Sequence, residues 1–172
     1  MFFEETRLRL LQTIMLTEDP AERQSAIQDL KPLHTTDLTS LFNAAVHDGN
    51  PVPVTIRLMD APPHEFLNDE QVERLKARVG NENTRGVQFA STTPGFYRMQ
   101  LEAIFEAAAA TGRQEIKIMV PLVRNAAELE AVHVTADEIA AGHPYKFGAM
   151  IETIDAVEII DKIAPLCDFV KI

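Results

Sequence analysis

Leu8, Leu10, Leu11, Ile14 and Met15 recur at helical spacing and predict an amphipathic helix over residues 2–16. A second helical segment opens at residues 17–20 (TEDP), where Thr17 or Asp19 can cap and Pro20 suits the first turn. A third, short helix is predicted from Thr36 to about Ala45, ending near the turn signal HDGN at 47–50; no strand is expected before residue 51. Beyond that point the texture changes. β-Branched content predicts a strand over Val52–Met59, followed by a polar helix over 69–79 and a turn over 81–86. A short strand over Val87–Ala90 and a helix over Pro94–Ala110 come next, with Gly112 beyond the helix end. Strands over 116–123, 147–153 and 168–172 then alternate with helices over 125–141 and 155–164.

Strand and helix alternate from residue 51 onward, which argues for a parallel sheet with crossover helices. A doubly wound sheet and a (β/α) barrel both satisfy that order. No Gly-rich G-x-G-x-x-G follows any strand, which removes the best-marked dinucleotide reading.

The 172 residues suffice for one domain with a core, or for part of a larger one. Hydrophobic residues at 46% and charged residues at 24% are ordinary for a soluble protein. A net charge of −10 repels phosphate backbones, so nucleic acid is not an expected partner, and each well-placed arginine becomes more informative. The single cysteine, Cys167, permits no internal disulfide and reads as a small buried residue beside a strand. Charges at Glu4, Glu5, Arg7 and Arg9 exclude a signal peptide, and no apolar run suits a membrane span. A cytoplasmic protein is expected.

In parallel sheets of this kind, function collects at the carboxyl ends of the strands. That rule selects Arg57 and Asp60 after the first strand, Arg85 before the second, Arg124 and Asn125 after the third, and Glu152 after the fourth. Side-chain alternation puts Thr55 and Arg57 on one face, opposite Val54, Ile56 and Leu58. It likewise puts Gly148, Met150 and Glu152 opposite Phe147, Ala149 and Ile151. Arg57 and Glu152 then either pair with each other structurally or serve a ligand. Arginine gives bidentate contacts to phosphate or carboxylate, and a glutamate with water and substrate oxygens suits Mg²⁺. His34, His47, His133 and His143 lack metal-like spacing and are expected in solvent, as are Glu65 and Glu115; His64 reads as loop packing.

These residues lie in segments that resemble pyruvate phosphate dikinase. The stretch TIRLMDAPPHEFL at 55–67 is similar to that family's TIRLLDPPLHEFL, and IKIMVPLV at 116–123 to its EIMIPLV strand. FYRMQLEAIFEAA at 96–108 resembles its MQ…RAIFEAA helix, and GAMIET at 148–153 its GTMIEIP segment. The resemblance extends to the other phosphoenolpyruvate-utilising enzymes that share the barrel: phosphoenolpyruvate synthase and the first enzyme of the bacterial sugar phosphotransferase system. It implies a partial (β/α)₈ TIM barrel of parallel strands over 51–172, with residues 1–50 as a helical lead-in. Phosphoenolpyruvate or pyruvate would bind there with Mg²⁺ and exchange a phosphoryl group with a phosphohistidine on another domain. Carried over by motif, Arg57 binds the phosphate, Arg85 assists, Asp60 supports the site and Glu152 ligates Mg²⁺.

The chain departs from the family pattern in places. The family's R-G-x-R reads RGVQ, with Gln88, and the residues after the metal glutamate's strand read Ile154-Asp155. Matches begin after the family's RTEH and stop before its GTNDLTQ. A barrel segment cut at both ends is therefore expected, without its phosphohistidine and nucleotide-binding domains and inactive alone. Two other readings compete: a non-enzymatic remnant acting as a binding or oligomerising module, and an aldolase-like lyase barrel. Five strands cannot close a barrel of eight, so self-association through open edges is also expected.

Overall fold

Ile27, Leu30, His34, Leu38 and Phe42 form one continuous inward stripe, and the helix that carries them is equally continuous. In this computed structural model, which describes residues 4–60, 62–80, 85–93 and 95–172, helix α1 (Glu5–Leu16) leads into a single 25-residue helix α2 (Pro20–Ala44). The sequence predicts two helices here, the second beginning at Thr36. A proline costs the helix one N–H and a ring clash, but Pro32 faces solvent, and packing of the apolar stripe carries α2 through it. Asp19 caps α2 through the Ala21 N–H at 2.9 Å, with Pro20 in the first turn.

Two short strands follow where none is expected. β1 (Val46–His47) pairs antiparallel with β2 (Asn50–Pro51). Asp48 and Gly49 supply positive φ angles of 49° and 78°, the backbone that a two-residue hairpin loop requires. The turn signal at 47–50 is thus a hairpin, not a helix stop alone.

The main sheet is parallel throughout, with strand order β3 (Val54–Arg57), β4 (Ile116–Val120), β5 (Lys146–Met150) and β6 (Phe169–Lys171). Between β3 and β4 run a 3₁₀ turn (Pro63–Glu65), α3 (Asp69–Val79), α4 (Gly86–Thr92) and α5 (Phe96–Thr111). Helix α6 (Ala126–Ala140) joins β4 to β5. Two short helices, α7 (Ile154–Glu158) and α8 (Ile160–Ile163), and a 3₁₀ turn (Ala164–Leu166) replace the single helix expected before β6.

The expected strand over Val87–Ala90 is a helix. Four residues with Val and Phe alternating fit either period, and β4 pairs directly with β3 with no strand between them. Phe89 instead packs edge-on against Phe96, ring centroids 5.2 Å apart. The sheet therefore has four strands among the described residues. The start of the predicted first helix (residues 1–3), most of the predicted turn (81–84) and Pro94 lie outside the described residues.

Parallel sheets bury both faces where helices cover them. On the covered face Ile116, Ile118, Val120, Phe147 and Ala149 are buried, each large one contributing about 1.5–3 kcal/mol. Helix α5 packs along α2 behind them. The architecture is α/β, consistent with part of an α/β barrel. No helix of the described residues is long and apolar enough to cross a membrane.

Candidate active site

The register sets the geometry of the open face. Arg57 lies level with Met119, Met119 with Gly148, and Gly148 with Phe169. Arg57 is the last residue of its strand, so its side chain, half exposed, stands at the carboxyl end of the sheet.

Asp60 is the point on which two arginines meet. Its side chain is only 5% exposed; Arg57 Nη1 lies 3.7 Å from Oδ2 and Arg85 Nε 3.5 Å from Oδ1. Burial pushes the Asp60 carboxyl above its ordinary value, against the pull of Arg85 and Arg57, while Glu152 and Glu65 add to the rise. The pairing is loose. Asp60 Oδ1 and Arg85 Nε are buried without a hydrogen-bond partner, a condition that costs free energy unless something else completes it.

Helix α5 fixes the backbone ahead of Asp60. Gln100 Oε1 accepts the Met59 N–H at 3.1 Å, and the Tyr97 hydroxyl donates to the Met59 carbonyl at 3.0 Å. Burial first, then the charge of Asp60, holds the Tyr97 phenol well above its usual range, so it remains a donor. Sequence reasoning missed both residues. The available signal was a glutamine inside the apolar stripe of a helix, where a polar group needs a fixed partner.

Glu152 sits two residues beyond β5. Its Oε1 accepts the Leu122 N–H at 3.0 Å, which ties it to the loop after β4. Thr153 holds the same loop by donating to the Val123 carbonyl at 2.8 Å while capping α7 at Ala156 N. Gly86 closes the ring. At φ +51° its missing Cβ would lie 2.9 Å from Pro121 O and 3.0 Å from Leu122 Cβ. Gly86→Ala is expected to cost about 2 kcal/mol, from a strained φ and a backbone clash, measured as a lower urea midpoint.

Arg57, Asp60, Arg85 and Glu152 therefore belong to one end of the sheet. Arg57 pairs with Asp60 and not with Glu152, so the structural pair weighed from sequence does not form among the described contacts. Asn125 instead caps α6, accepting the Glu128 N–H at 2.9 Å, and the Arg124 N–H donates to Glu128. A cleft of about 510 Å³ runs along the edge of β3 past Arg57, Asp60 and Arg85, with His34 and Gln100 in its wall.

Other expectations need correcting. His34 is buried, not solvated, because the unbroken α2 turns it inward. His133 is partly covered, stacked on Phe147 with centroids 4.2 Å apart, and His143 meets Phe105 edge-on at 5.9 Å. Cys167 is half-buried, its thiol pushed up to about 11 by burial and by Asp168. His47, His64, Glu65 and Glu115 are exposed.

No group of three or more His, Cys, Asp or Glu suited to a metal occurs among the described residues. Glu152 alone keeps one carboxylate oxygen clear of the Leu122 contact. That fits a Mg²⁺ completed by substrate oxygens and water, not a protein cage.

Comparison with known proteins follows the same outline. The family described as PEP-utilising enzyme, PEP-binding domain matches residues 10–172. The chain is 35% identical to a pyruvate, phosphate dikinase of Rhizobium meliloti (strain 1021) and 32% to pyruvate, phosphate dikinase 2 of Oryza sativa subsp. japonica. It is 30% identical to the pyruvate, phosphate dikinase of Rickettsia prowazekii (strain Madrid E). Each match covers 98% of this chain and 22% of the relative, so the chain spans about a fifth of these proteins.

Proposed function

This chain belongs to the PEP-binding domain family of the PEP-utilising enzymes, and we propose on that footing that its carboxyl-end mouth binds phosphoenolpyruvate or pyruvate. The reaction is Mg²⁺-dependent phosphoryl transfer of the pyruvate phosphate dikinase kind, in a partial (β/α)₈ barrel. One observation carries the reading: two arginines aim at a single buried carboxylate, with donors left unspent, beside a tethered glutamate. Two arginines converging in an acidic chain would hold a phosphate by charge-assisted forks. Asp60 orients both guanidinium groups from below, and Tyr97 and Gln100 hold its backbone still.

Phosphoryl transfer asks the protein mainly for position and countercharge. Arg57 and Arg85 supply both at the transferring group. Glu152 would hold Mg²⁺, which when bound neutralises phosphate and enolate oxygens. The phosphoryl partner is a phosphohistidine carried by another domain of the parent enzyme, alongside its nucleotide-binding domain. The 172-residue polypeptide by itself is therefore expected to bind without turning over.

Arg57→Ala and Arg85→Ala are each expected to weaken phosphoenolpyruvate binding by about 30-fold, the loss of a charge-assisted contact of about 2 kcal/mol. Calorimetric titration measures it. Arg98, whose partner is the remote Glu138 at 2.6 Å, is the control, and Arg98→Ala should leave affinity unchanged. Equal loss at all three arginines would sink the assignment.

Gln88 and the Ile154-Asp155 pair, with Ile154 78% exposed, favour a second reading, a non-enzymatic binding module descended from the same domain. Activity of the chain joined to the phosphohistidine and nucleotide-binding domains of a relative separates the two.

A further inference from the structure

The open face carries a cation that the site so far leaves unused. Phe169 crosses this face: a Cβ on Gly148 would fall 2.5 Å from its ring, so the Phe169 side chain lies on the side where Gly148 has none. Lys117 Nζ stands 5.9 Å from the same ring. Two residues on along β6, strand alternation returns Lys171 to the face of Phe169, Gly148, Met119 and Arg57. Lys171 is level with Met150, two residues nearer the carboxyl end than the Arg57 row and two residues short of Glu152 on the neighbouring strand. It is exposed, and among the described residues it makes no ion pair.

We propose that Lys171 is a substrate-positioning cation that takes the carboxylate shared by phosphoenolpyruvate and pyruvate. The inference rests on the reading of the mouth given above. Three strand spacings put the Arg57 and Lys171 strands roughly 14 Å apart along the sheet, and the register places both residues on its open face. Arg57 and Arg85 converge on the β3 side, where the phosphate belongs. The carboxylate end of the ligand then faces β6. A lysine suits this role as a mobile point charge on a long stem, without the geometric demand of a fork. The bland role for an exposed lysine on an edge strand is to discourage edge pairing, and the experiment separates the two.

Phosphoenolpyruvate, pyruvate and inorganic phosphate are titrated in turn, with Mg²⁺, into the parent chain, Lys171→Met and Lys171→Arg, and each protein is also sedimented. Lys171→Met is expected to weaken phosphoenolpyruvate and pyruvate alike by about tenfold and to leave inorganic phosphate unchanged. Lys171→Arg should restore most of the loss. Unchanged affinities in Lys171→Met with altered sedimentation would make Lys171 an edge guard and overturn the proposal. A loss confined to phosphoenolpyruvate and phosphate would overturn the carboxylate assignment. A parent chain that binds neither organic acid removes the reading of the mouth itself, a failure seen before any variant is made.

Discussion

Arg113→Met is expected to lower the stability of this chain by about 4 kcal/mol, although the residue lies at the far end of the sheet from the candidate site. Gly112, at φ +64°, ends α5, and the Arg113 side chain then turns back into the core, where it is 5% exposed. Its guanidinium donates to the carbonyls of Val52 at 2.6 Å, Phe42 at 2.8 Å and Ala45 at 2.9 Å, and stacks over the Phe42 ring at 5.1 Å. Phe42 and Ala45 stand at the carboxyl end of α2, where unpaired carbonyls and the helix dipole both favour a cation. One side chain thus ties α2, the segment entering β3 and the end of α5. Ala45 keeps a second bond, from the Val52 N–H at 3.0 Å. The Phe42 and Val52 carbonyls lose the guanidinium, at about 1–3 kcal/mol each, and the ring contact adds about 1 kcal/mol. Arg113→Lys should lose about half as much, because one ammonium cannot span three carbonyls. Urea titration decides it: a methionine variant within 1 kcal/mol of the parent would show that the clamp contributes little.

Acid is expected to destabilise the chain through His34. Burial first, then Arg7, push its imidazole down to about 4, while Asp37 opposes them. A depressed histidine binds its proton more weakly folded than unfolded. Its contribution is present in full above about pH 6.5 and is lost as pH falls toward 4. The loss from this group alone is about 2.5 kcal/mol between pH 7 and pH 4.5. Comparing urea midpoints of the parent and His34→Gln across that range isolates it, since the carboxylates titrate alike in both. The parent should fall faster with acid. Parallel curves would mean that His34 protonates in place.

Much of this architecture is readable in the chain because its causes are local. Asn68 and Gln71 form a reciprocal capping box and Gly80 takes a left-handed φ of +70°, so α3 begins and ends where the residues say. Ile116–Val120 reads as a buried strand because β-branched residues crowd a short run. The placement of Arg57, Asp60 and Glu152 at strand ends follows from alternation and element order alone. Long-range packing overrode local signals elsewhere. Pro32 marks a helix break by propensity, but the stripe from Ile27 to Phe42 holds α2 together. Val87–Ala90 carries strand residues, yet it forms helix α4, and β4 pairs directly with β3.

The same division runs through the candidate site. Residue types, their order and the strand ends they occupy are properties of the chain, set by side-chain period and turn chemistry. That Arg85 joins Arg57 at Asp60 and that Tyr97 and Gln100 brace this point depend on how α4 and α5 pack against the segment after β3. That Lys171 shares a face with Arg57 depends on register across four strands. Those relations join residues 25 to more than 100 positions apart, and no local pattern carries them. Burial separates the two levels most sharply at His34 and Arg113. Each is polar by sequence, and His34 is expected in solvent, yet each is enclosed because α2, the segment around β3 and α5 close over it.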